Sequence, residues 1–164
     1  MEGPILMHVP PSRGAGNRLW LIAGTGEGPV LANALLRSHW RVRVSVVSRA
    51  GALAYGCQPG LEVRVGAIEG ELPDRRPEAG VAKELERARR GGDPFRWVID
   101  ATHPFAIRIS AALAVECRRL HQPLLRLRRP EIPAGYARIL PALPALGEHC
   151  PAEEHLLLAI GARQ

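Results

Sequence analysis

The segment Asp100-Ala101-Thr102-His103-Pro104-Phe105-Ala106 contains side chains that can do acid–base and hydrogen-bond chemistry. His103 can hydrogen-bond an anion or act as a general acid, Thr102 can donate to a ligand, and Asp100 can orient the histidine or cap the loop. Without a nearby Ser or Cys nucleophile, this Asp and His give little support for hydrolysis. The alternative is a structural role, in which Asp100 satisfies loop N–H groups and His103 packs beside Pro104.

This segment lies where a predicted strand passes into a predicted helix. A short apolar run at residues 96–99 precedes it, and a helical pattern follows from Ala106. In open parallel sheets, ligands bind in the crevice beyond the carboxyl ends of the strands. The position therefore makes Asp100, Thr102 and His103 candidate site residues.

A second junction of this kind is the glycine-rich turn Gly24-Thr25-Gly26-Glu27-Gly28, which follows an apolar run at residues 19–23. Glycines let the backbone approach a pyrophosphate, and the first turn of a helix offers free N–H groups and a positive dipole end. The turn departs from the pattern G-x-G-x-x-G because Pro29 occupies the place of the third glycine. A phosphate-binding turn is predicted, with a purely structural turn as the alternative.

The end of the second predicted strand bears on the choice of cofactor. It reads Ser48-Arg49-Ala50-Gly51 and contains no acidic residue. NAD-specific folds place an Asp or Glu there to hold the ribose 2′-hydroxyl, whereas NADP-specific folds use Arg or small polar groups for the 2′-phosphate. Ser48 and Arg49 therefore favour NADPH over NADH, unless Arg49 is only a solvated loop arginine.

Arginines at the end of the fifth predicted strand are candidates for binding carboxylates. Arg126, Arg128 and Arg129 lie there, and a guanidinium group can bind a carboxylate through two hydrogen bonds. A solubilising basic loop is the alternative. The net charge of +6 fits nucleic acid, an anionic surface or a ligand with several carboxylates or phosphates. Nucleic acid is the weakest of these, because the chain has few aromatic side chains to stack on bases.

Alternating strand and helix patterns predict an α/β fold, with a Rossmann-like, mainly parallel sheet of about five strands and helices on both faces. The expected strands are at residues 19–23, 41–47, 61–65, 96–99 and 123–127. The expected helices are at residues 29–37, 51–53, 77–90 and 106–120.

The domain organisation is predicted from composition. Residues 1–18 read as a mobile leader and not as a signal peptide, 19–130 as the dinucleotide-binding domain, and 131–154 as a Pro-rich linker. Residues 155–164 read as the first strand of a truncated second domain. Three cysteines without a C-x-x-C pair argue against a disulfide framework or a metal site. A cytoplasmic protein with no membrane span is expected.

Taken together, these junctions resemble the precorrin-6A reductase family of cobalamin biosynthesis. The resemblance spans about residues 19–130, and its most specific part is the Asp-Ala-Thr-His-Pro-Phe-Ala segment. Other matching stretches are Leu21-Ile22-Ala23-Gly24-Thr25-Gly26-Glu27, Val44-Ser45-Val46-Val47-Ser48, Val63-Arg64-Val65-Gly66 and Pro123-Leu124-Leu125-Arg126-Leu127-Arg128-Arg129-Pro130.

The resemblance implies a two-domain oxidoreductase that holds NADPH and a tetrapyrrole between its domains and passes hydride to one double bond of precorrin-6A, giving precorrin-6B. By position, Gly24, Thr25, Gly26 and Glu27 would form the pyrophosphate turn, and Ser48 and Arg49 would lie near the adenosine phosphate. Thr102 and His103 would border the cofactor and substrate, with His103 and Asp100 as catalytic candidates and Arg126 and Arg128 holding carboxylate arms.

The resemblance also implies that the chain is an N-terminal half, because family members are longer. The alternative is a truncated, non-catalytic NADPH-binding module or a basic anion-binding domain.

Overall fold

A computed structural model gives the structure of residues 16–70 and 74–128. The strands are β1 (Arg18–Ala23), β2 (Arg41–Val46), β3 (Leu61–Val65), β4 (Trp97–Ala101) and β5 (Leu124–Arg126). The helices are α1 (Glu27–Arg37), α2 (Arg49–Ala52), α3 (Pro77–Arg90) and α4 (Ile107–Arg119), and a 3-10 turn at Leu53–Tyr55 follows α2. Strands and helices alternate along the chain, so the predicted α/β class is confirmed.

The five strands form one sheet in the order β3-β2-β1-β4-β5. Every neighbouring pair is parallel. The chain moves outward from β1 to β3, then crosses back and continues outward through β4 and β5. The strand order therefore reverses between β1 and β4, which is the position where ligands bind in sheets of this kind. The Rossmann-like prediction is confirmed.

Apolar layers cover both faces of the sheet. On one face, Trp20 and Ile22 of β1 pack with Val81 and Leu85 of α3 and with Leu113 of α4. On the other face, the alternate β1 residues pack with side chains from α1, α2 and the 3-10 turn, a cluster that includes Leu19, Leu21, Ala32, Ala52 and Tyr55. The central strand is buried on both sides, as its continuous apolar run predicted.

Several element boundaries differ from the sequence-based prediction. α1 begins at Glu27 with Gly26 as its N-cap, not at Pro29. α2 begins at Arg49, so Ser48 is a helix cap and not a free loop residue. β4 includes Asp100 and Ala101. The strand extends beyond Ile99 because Asp100 pairs with Arg126 of the next strand. The predicted strand ended at Ile99 because the next residue is charged, and this non-local pairing outweighs that local signal.

Some predictions fall partly or wholly outside the described residues. The predicted leader overlaps the sheet at its last residue, because β1 begins at Arg18. The rest of the leader up to residue 15, the linker at 131–154, the strand at 155–164 and Arg129 lie outside the described residues. The predicted domain boundaries therefore stay predictions.

Charged side chains replace apolar packing on part of the α3 face. Arg43 of β2 donates to Glu84 of α3 at 2.7 Å, and these side chains are only 13% and 9% exposed. Arg43 also lies 2.8 Å from Glu62, and Arg64 lies 3.5 Å from Glu84. Burial alone would raise the pKa of Glu62, but hydrogen bonds from Arg43 and Arg18 hold it below its ordinary value. These ion pairs tie α3 to β2 and β3.

We predict that Glu84→Gln lowers the free energy of unfolding by about 3 kcal/mol, because Arg43 and Arg64 then lose a buried carboxylate. Urea unfolding followed by circular dichroism measures this change. Glu86→Gln on the same helix is the matched control. The Glu86 side chain is 47% exposed, and its nitrogen–oxygen distances to Arg90 and Arg119 are 4.0 and 3.8 Å. Its replacement should therefore cost at most about 1 kcal/mol. Equal effects of the two substitutions would show that the Glu84 ion pairs do not stabilise the fold.

Candidate functional site

The turns that follow β1 and β4 meet at the point where the strand order reverses. β1 and β4 are parallel neighbours, with Ala23 level with Ala101, so both turns leave the sheet side by side. A Cβ atom at Gly24 would lie 3.2 Å from the backbone nitrogen of His103 and 3.6 Å from the Cα of Thr102. A glycine at this position therefore lets the two backbones touch. The structure brings together the glycine turn and the His103 segment that the sequence singled out.

The glycine turn leaves space and hydrogen-bond donors for an anion. Nothing lies within 4 Å of a Cβ atom built on Gly26. Gly26 caps α1 without a side-chain hydrogen bond, so no side chain of the cap competes for the N–H groups of the first helical turn. These groups lie at the positive end of the helix dipole. Glu27 stands in the same turn, and its negative charge already complements that dipole.

Gly28 performs the packing role of the third glycine in a dinucleotide-binding turn. A Cβ atom there would overlap the Tyr55 hydroxyl and would lie 2.9 Å from the Cβ of Ala23. Tyr55 itself is buried, at 5% exposure, and this burial raises the pKa of its hydroxyl. Pro29 therefore does not remove the third glycine's function, because Gly28 supplies it one residue earlier. Sequence reasoning missed Tyr55, which no local motif connects to the glycine turn.

A cleft of about 410 Å³ lies between the glycine turn and the end of β2. Its lining includes Gly24 and Gly26 on one side and Val47, Ser48 and Tyr55 on the other. The Ser48 hydroxyl oxygen accepts a hydrogen bond from the Gly51 backbone N–H at 3.1 Å and thereby caps α2. Arg49, the next residue, is exposed. The cleft therefore runs from the predicted pyrophosphate turn to Ser48, whereas Arg49 is not one of its lining residues.

Asp100 is buried and holds the backbone of the β4–α4 loop. Its side chain is 3% exposed. One carboxylate oxygen accepts hydrogen bonds from the Thr102 backbone N–H at 3.1 Å and from the Thr102 hydroxyl at 2.7 Å. The Thr102 hydroxyl also lies 3.1 Å from the Ser110 hydroxyl of α4. Of the two roles left open by the sequence, the hydrogen bonds within the described residues match capping of the loop and not contact with His103.

His103 is exposed and contacts the following loop residues. Its Nδ1 accepts a hydrogen bond from the Phe105 backbone N–H at 3.2 Å, and the two rings are 5.0 Å apart at their centroids. Because Nδ1 is an acceptor, the neutral imidazole carries its proton on Nε2. In this form Nε2–H can donate a hydrogen bond to a bound molecule, whereas transfer of a proton requires the imidazolium form of the side chain.

Arg126 and Arg128 occupy the same edge of the sheet. The Arg126 Nε lies 3.7 Å from the second carboxylate oxygen of Asp100, and the Arg126 side chain is 54% exposed. Arg128 is exposed. Arg126 is thus positioned by the buried carboxylate and still open to solvent, so it can contact an additional anion.

Neither a metal site nor a membrane-spanning helix is found in the described residues. Within residues 16–70 and 74–128, no group of three or more His, Cys, Asp or Glu side chains is arranged to hold a metal ion. No helix in the same ranges has the length and apolarity needed to cross a membrane.

We predict that Gly28→Ala lowers the free energy of unfolding by about 1 to 3 kcal/mol, because its Cβ would overlap the Tyr55 hydroxyl. Tyr55→Phe in the same background should restore part of the loss, since it removes that hydroxyl. Gly26→Ala is the matched control and should change stability by no more than about 0.5 kcal/mol, because its Cβ points into open space. Urea unfolding measures all three. If Gly28→Ala is as stable as Gly26→Ala, the contact with Tyr55 does not constrain the turn.

Comparison with known proteins matches the chain to one family. A family model described as "CbiJ: Precorrin-6x reductase CbiJ/CobK" covers residues 18–164. The chain is 36% identical over 122 residues to "Precorrin-6A reductase" of Mycobacterium tuberculosis, which covers 74% of this chain and 43% of the relative. It is 27% identical over 150 residues to "Cobalt-precorrin-6A reductase" of Synechocystis sp., which covers 88% of this chain and 52% of the relative.

A solved structure titled "CobK precorrin-6A reductase" superposes on the chain with a TM-score of 0.60 and 29% sequence identity. The match covers 82% of this chain and 49% of the other. The chain therefore spans about half the length of the relatives that it matches. Because the family model covers most of the chain, including both turns of the crevice, the chain belongs to the precorrin-6x reductase family.

Proposed function

We propose that this chain is the cofactor-binding part of an NADPH-dependent precorrin-6A reductase of cobalamin biosynthesis. The observation that carries the proposal is the crevice at the strand reversal, where a glycine turn, an acid-free β2 end and the His103 segment converge. Family membership supports the substrate class, a tetrapyrrole. The reaction would transfer a hydride to one double bond of the macrocycle and give precorrin-6B.

The residues of the crevice fit the pyrophosphate of a dinucleotide. The open space at Gly26 accommodates an approaching phosphate group. The start of α1 has no side-chain cap. The Gly28 N–H already donates to the Thr25 carbonyl oxygen at 3.1 Å, so the phosphate would bind other N–H groups of this turn. Gly24 and Thr25 line the same cleft. The Glu27 side chain would face the anion unfavourably, so the contribution of this residue would come from its backbone N–H.

The end of β2 fits NADPH better than NADH. A 2′-phosphate beside Ser48 and Arg49 would accept charge-assisted hydrogen bonds, and no acidic residue in this turn would repel it. The Ser48 hydroxyl accepts from Gly51, so its own proton remains available for donation to a phosphate oxygen.

Bound NADPH supplies the hydride, and the chain's residues would supply position and a proton. Hydride addition to one end of a double bond requires a proton at the other end, where the imidazolium form of His103 could donate it and be left as the neutral imidazole. Thr102 would border the cofactor and the substrate. Asp100, although a catalytic candidate by sequence, would act by holding Thr102 in place through two hydrogen bonds.

The substrate's acetate and propionate arms would interact with Arg126 and Arg128. Arg126 is already oriented by Asp100 at 3.7 Å, which reduces the entropy lost when it binds a second carboxylate. Arg128 follows it at the same edge and is exposed.

A non-catalytic NADPH-binding module is the second candidate. One observation favours it: the cleft beside the glycine turn is lined by residues of the β1–α1 turn and of the segment that follows β2, and His103 is not among them. Such a module would bind the nucleotide without turning over a corrinoid substrate.

We predict that this chain binds NADPH at least tenfold more tightly than NADH, and that Arg49→Ala weakens NADPH binding about tenfold to a hundredfold without affecting NADH. The reason is the loss of a charge-assisted contact with the 2′-phosphate. Fluorescence titration at fixed ionic strength measures both affinities. Arg37→Ala is the matched control, because it removes the same charge from the far end of α1. Equal affinities for the two nucleotides, or no binding of either, would contradict the proposal.

We also predict that His103→Asn lowers kcat for precorrin-6A-dependent NADPH oxidation by about 10² to 10⁴-fold and leaves NADPH affinity unchanged. His121→Asn is the matched control, since His121 is an exposed histidine beyond the other end of α4, and Asn tolerates its positive φ of 51°. Full turnover by His103→Asn would exclude His103 as proton donor. NADPH binding by the unmodified chain without any turnover would support the module.

A further inference from the structure

The loop that enters α4 exposes two large apolar side chains beside the crevice. Phe105 is 85% exposed and Ile107 is 71% exposed. The Phe105 ring also contacts the ring of His103, so two exposed aromatic rings lie next to each other. A grouped apolar surface at the mouth of a site marks the place where a ligand or a partner binds.

Arg108, the residue that follows Ile107, lines a cavity rich in arginine. Its volume is about 540 Å³, and it is lined by Asp74, Arg75, Arg76 and Arg108. Arg75 pairs with Glu69 at 2.6 Å, and Arg76 pairs with Asp74 at 2.8 Å. Among the residues described, Arg108 has no carboxylate partner. Arg75 and Arg76 are thus engaged by carboxylates, and Glu78 and Glu116 also act on Arg76, which leaves Arg108 as the cavity arginine without a carboxylate partner among the described residues.

Arg108 also lies in the first turn of α4, which begins without a side-chain cap. The positive end of a 13-residue helix therefore adds to the charge of Arg108 at this cavity. Phe105, Ile107 and Arg108 are all exposed at this entry to α4, so a ligand wide enough to span them could contact the apolar side chains and Arg108 together.

We propose that this first turn of α4 is a docking site for a planar, polycarboxylate ring. Phe105 and Ile107 contact the face of the ring, and Arg108 binds one of its carboxylate arms at the cavity. The inference rests on the proposed function, because it identifies where that function's tetrapyrrole lies. It adds three substrate-contacting residues to Arg126 and Arg128, which lie on the neighbouring strand end.

Charge complementarity favours this ligand over an apolar protein segment. An apolar segment would cover Phe105 and Ile107 but would bury the guanidinium of Arg108 without a carboxylate, which is costly. A ring with ionised arms satisfies both features. The site is also separate from the nucleotide cleft, whose lining comes from the β1–α1 turn and from the segment after β2.

The test is a titration of the chain with uroporphyrin, a planar tetrapyrrole with acetate and propionate arms, followed by porphyrin fluorescence. A porphyrin with four N-methylpyridinium groups is the control probe, because it has a similar ring and the opposite charge. The variants are Phe105→Ala and Arg108→Gln. Val115→Ala and Arg118→Gln are their matched controls, because both residues are exposed on the same helix, beyond its first turn.

The expected result is that Arg108→Gln weakens uroporphyrin binding about tenfold or more and Phe105→Ala weakens it about threefold to tenfold. The two control variants should bind as the unmodified chain does, and the cationic porphyrin should bind more weakly. Because all four side chains are exposed, the melting temperatures should stay equal.

Three results would overturn the inference. They are unchanged binding by Phe105→Ala and Arg108→Gln, equal binding of the two porphyrins, and no uroporphyrin binding at all, which would mean that protein covers this surface. NADPH titration of the same variants separates the two hypotheses. If the docking site fails but the chain still binds NADPH more tightly than NADH, the proposed function stands. If the unmodified chain does not bind NADPH more tightly than NADH, the proposed function itself is contradicted.

Discussion

The backbone contact between Gly24 and the β4–α4 loop is the constraint on which the rest of the site depends. A side-chain carbon at this position would come within 3.2 Å of the His103 nitrogen, so a larger residue would separate the two turns. The contact exists because β1 and β4 are parallel neighbours although they are far apart in the chain. It places the donors of α1, the buried Asp100 and the exposed His103 at one edge. Each of these groups by itself can be explained by a structural role. Their position at one edge of the sheet is what makes the crevice a candidate binding site.

The layer formed by α3 and α4 connects the stability of the fold with the site. The Arg43–Glu84 ion pair and the contacts of Val81 and Leu85 fix α3 on the sheet. This attachment determines where Arg76, at the start of α3, lies relative to Arg108, at the start of α4. The charged cavity is therefore built from helix ends that are positioned by a buried ion pair and an apolar core. The Glu84 ion pairs thus belong to the helical layer that carries this cavity, whereas the nucleotide cleft lies against the opposite helical layer.

The sequence predicted those features that depend on local patterns. The bounds of α3 were correct because Pro77 and Gly91 mark its ends, and β3 was correct because its residues alternate. Three features could not be predicted because they depend on distant residues. Asp100 remains in a strand through its pairing with Arg126, Gly28 is required by the hydroxyl of Tyr55, and Arg108 shares a cavity with arginines that precede another helix. The roles of Ser48, Arg49 and His103 stay predictions, since side-chain position alone does not identify a ligand.

Amide nuclear magnetic resonance of the 15N-labelled chain during titration with NADP+ tests the central claim most directly. If the two turns form one nucleotide site, the amide signals of Gly24 to Gly28 and of Thr102 and His103 should shift together with a single dissociation constant. In Gly24→Ala, which separates the turns, the shifts of Thr102 and His103 should be lost or should require a higher nucleotide concentration. Shifts confined to the glycine turn, or centred on the Arg108 cavity, would contradict the account of a single crevice at the strand reversal.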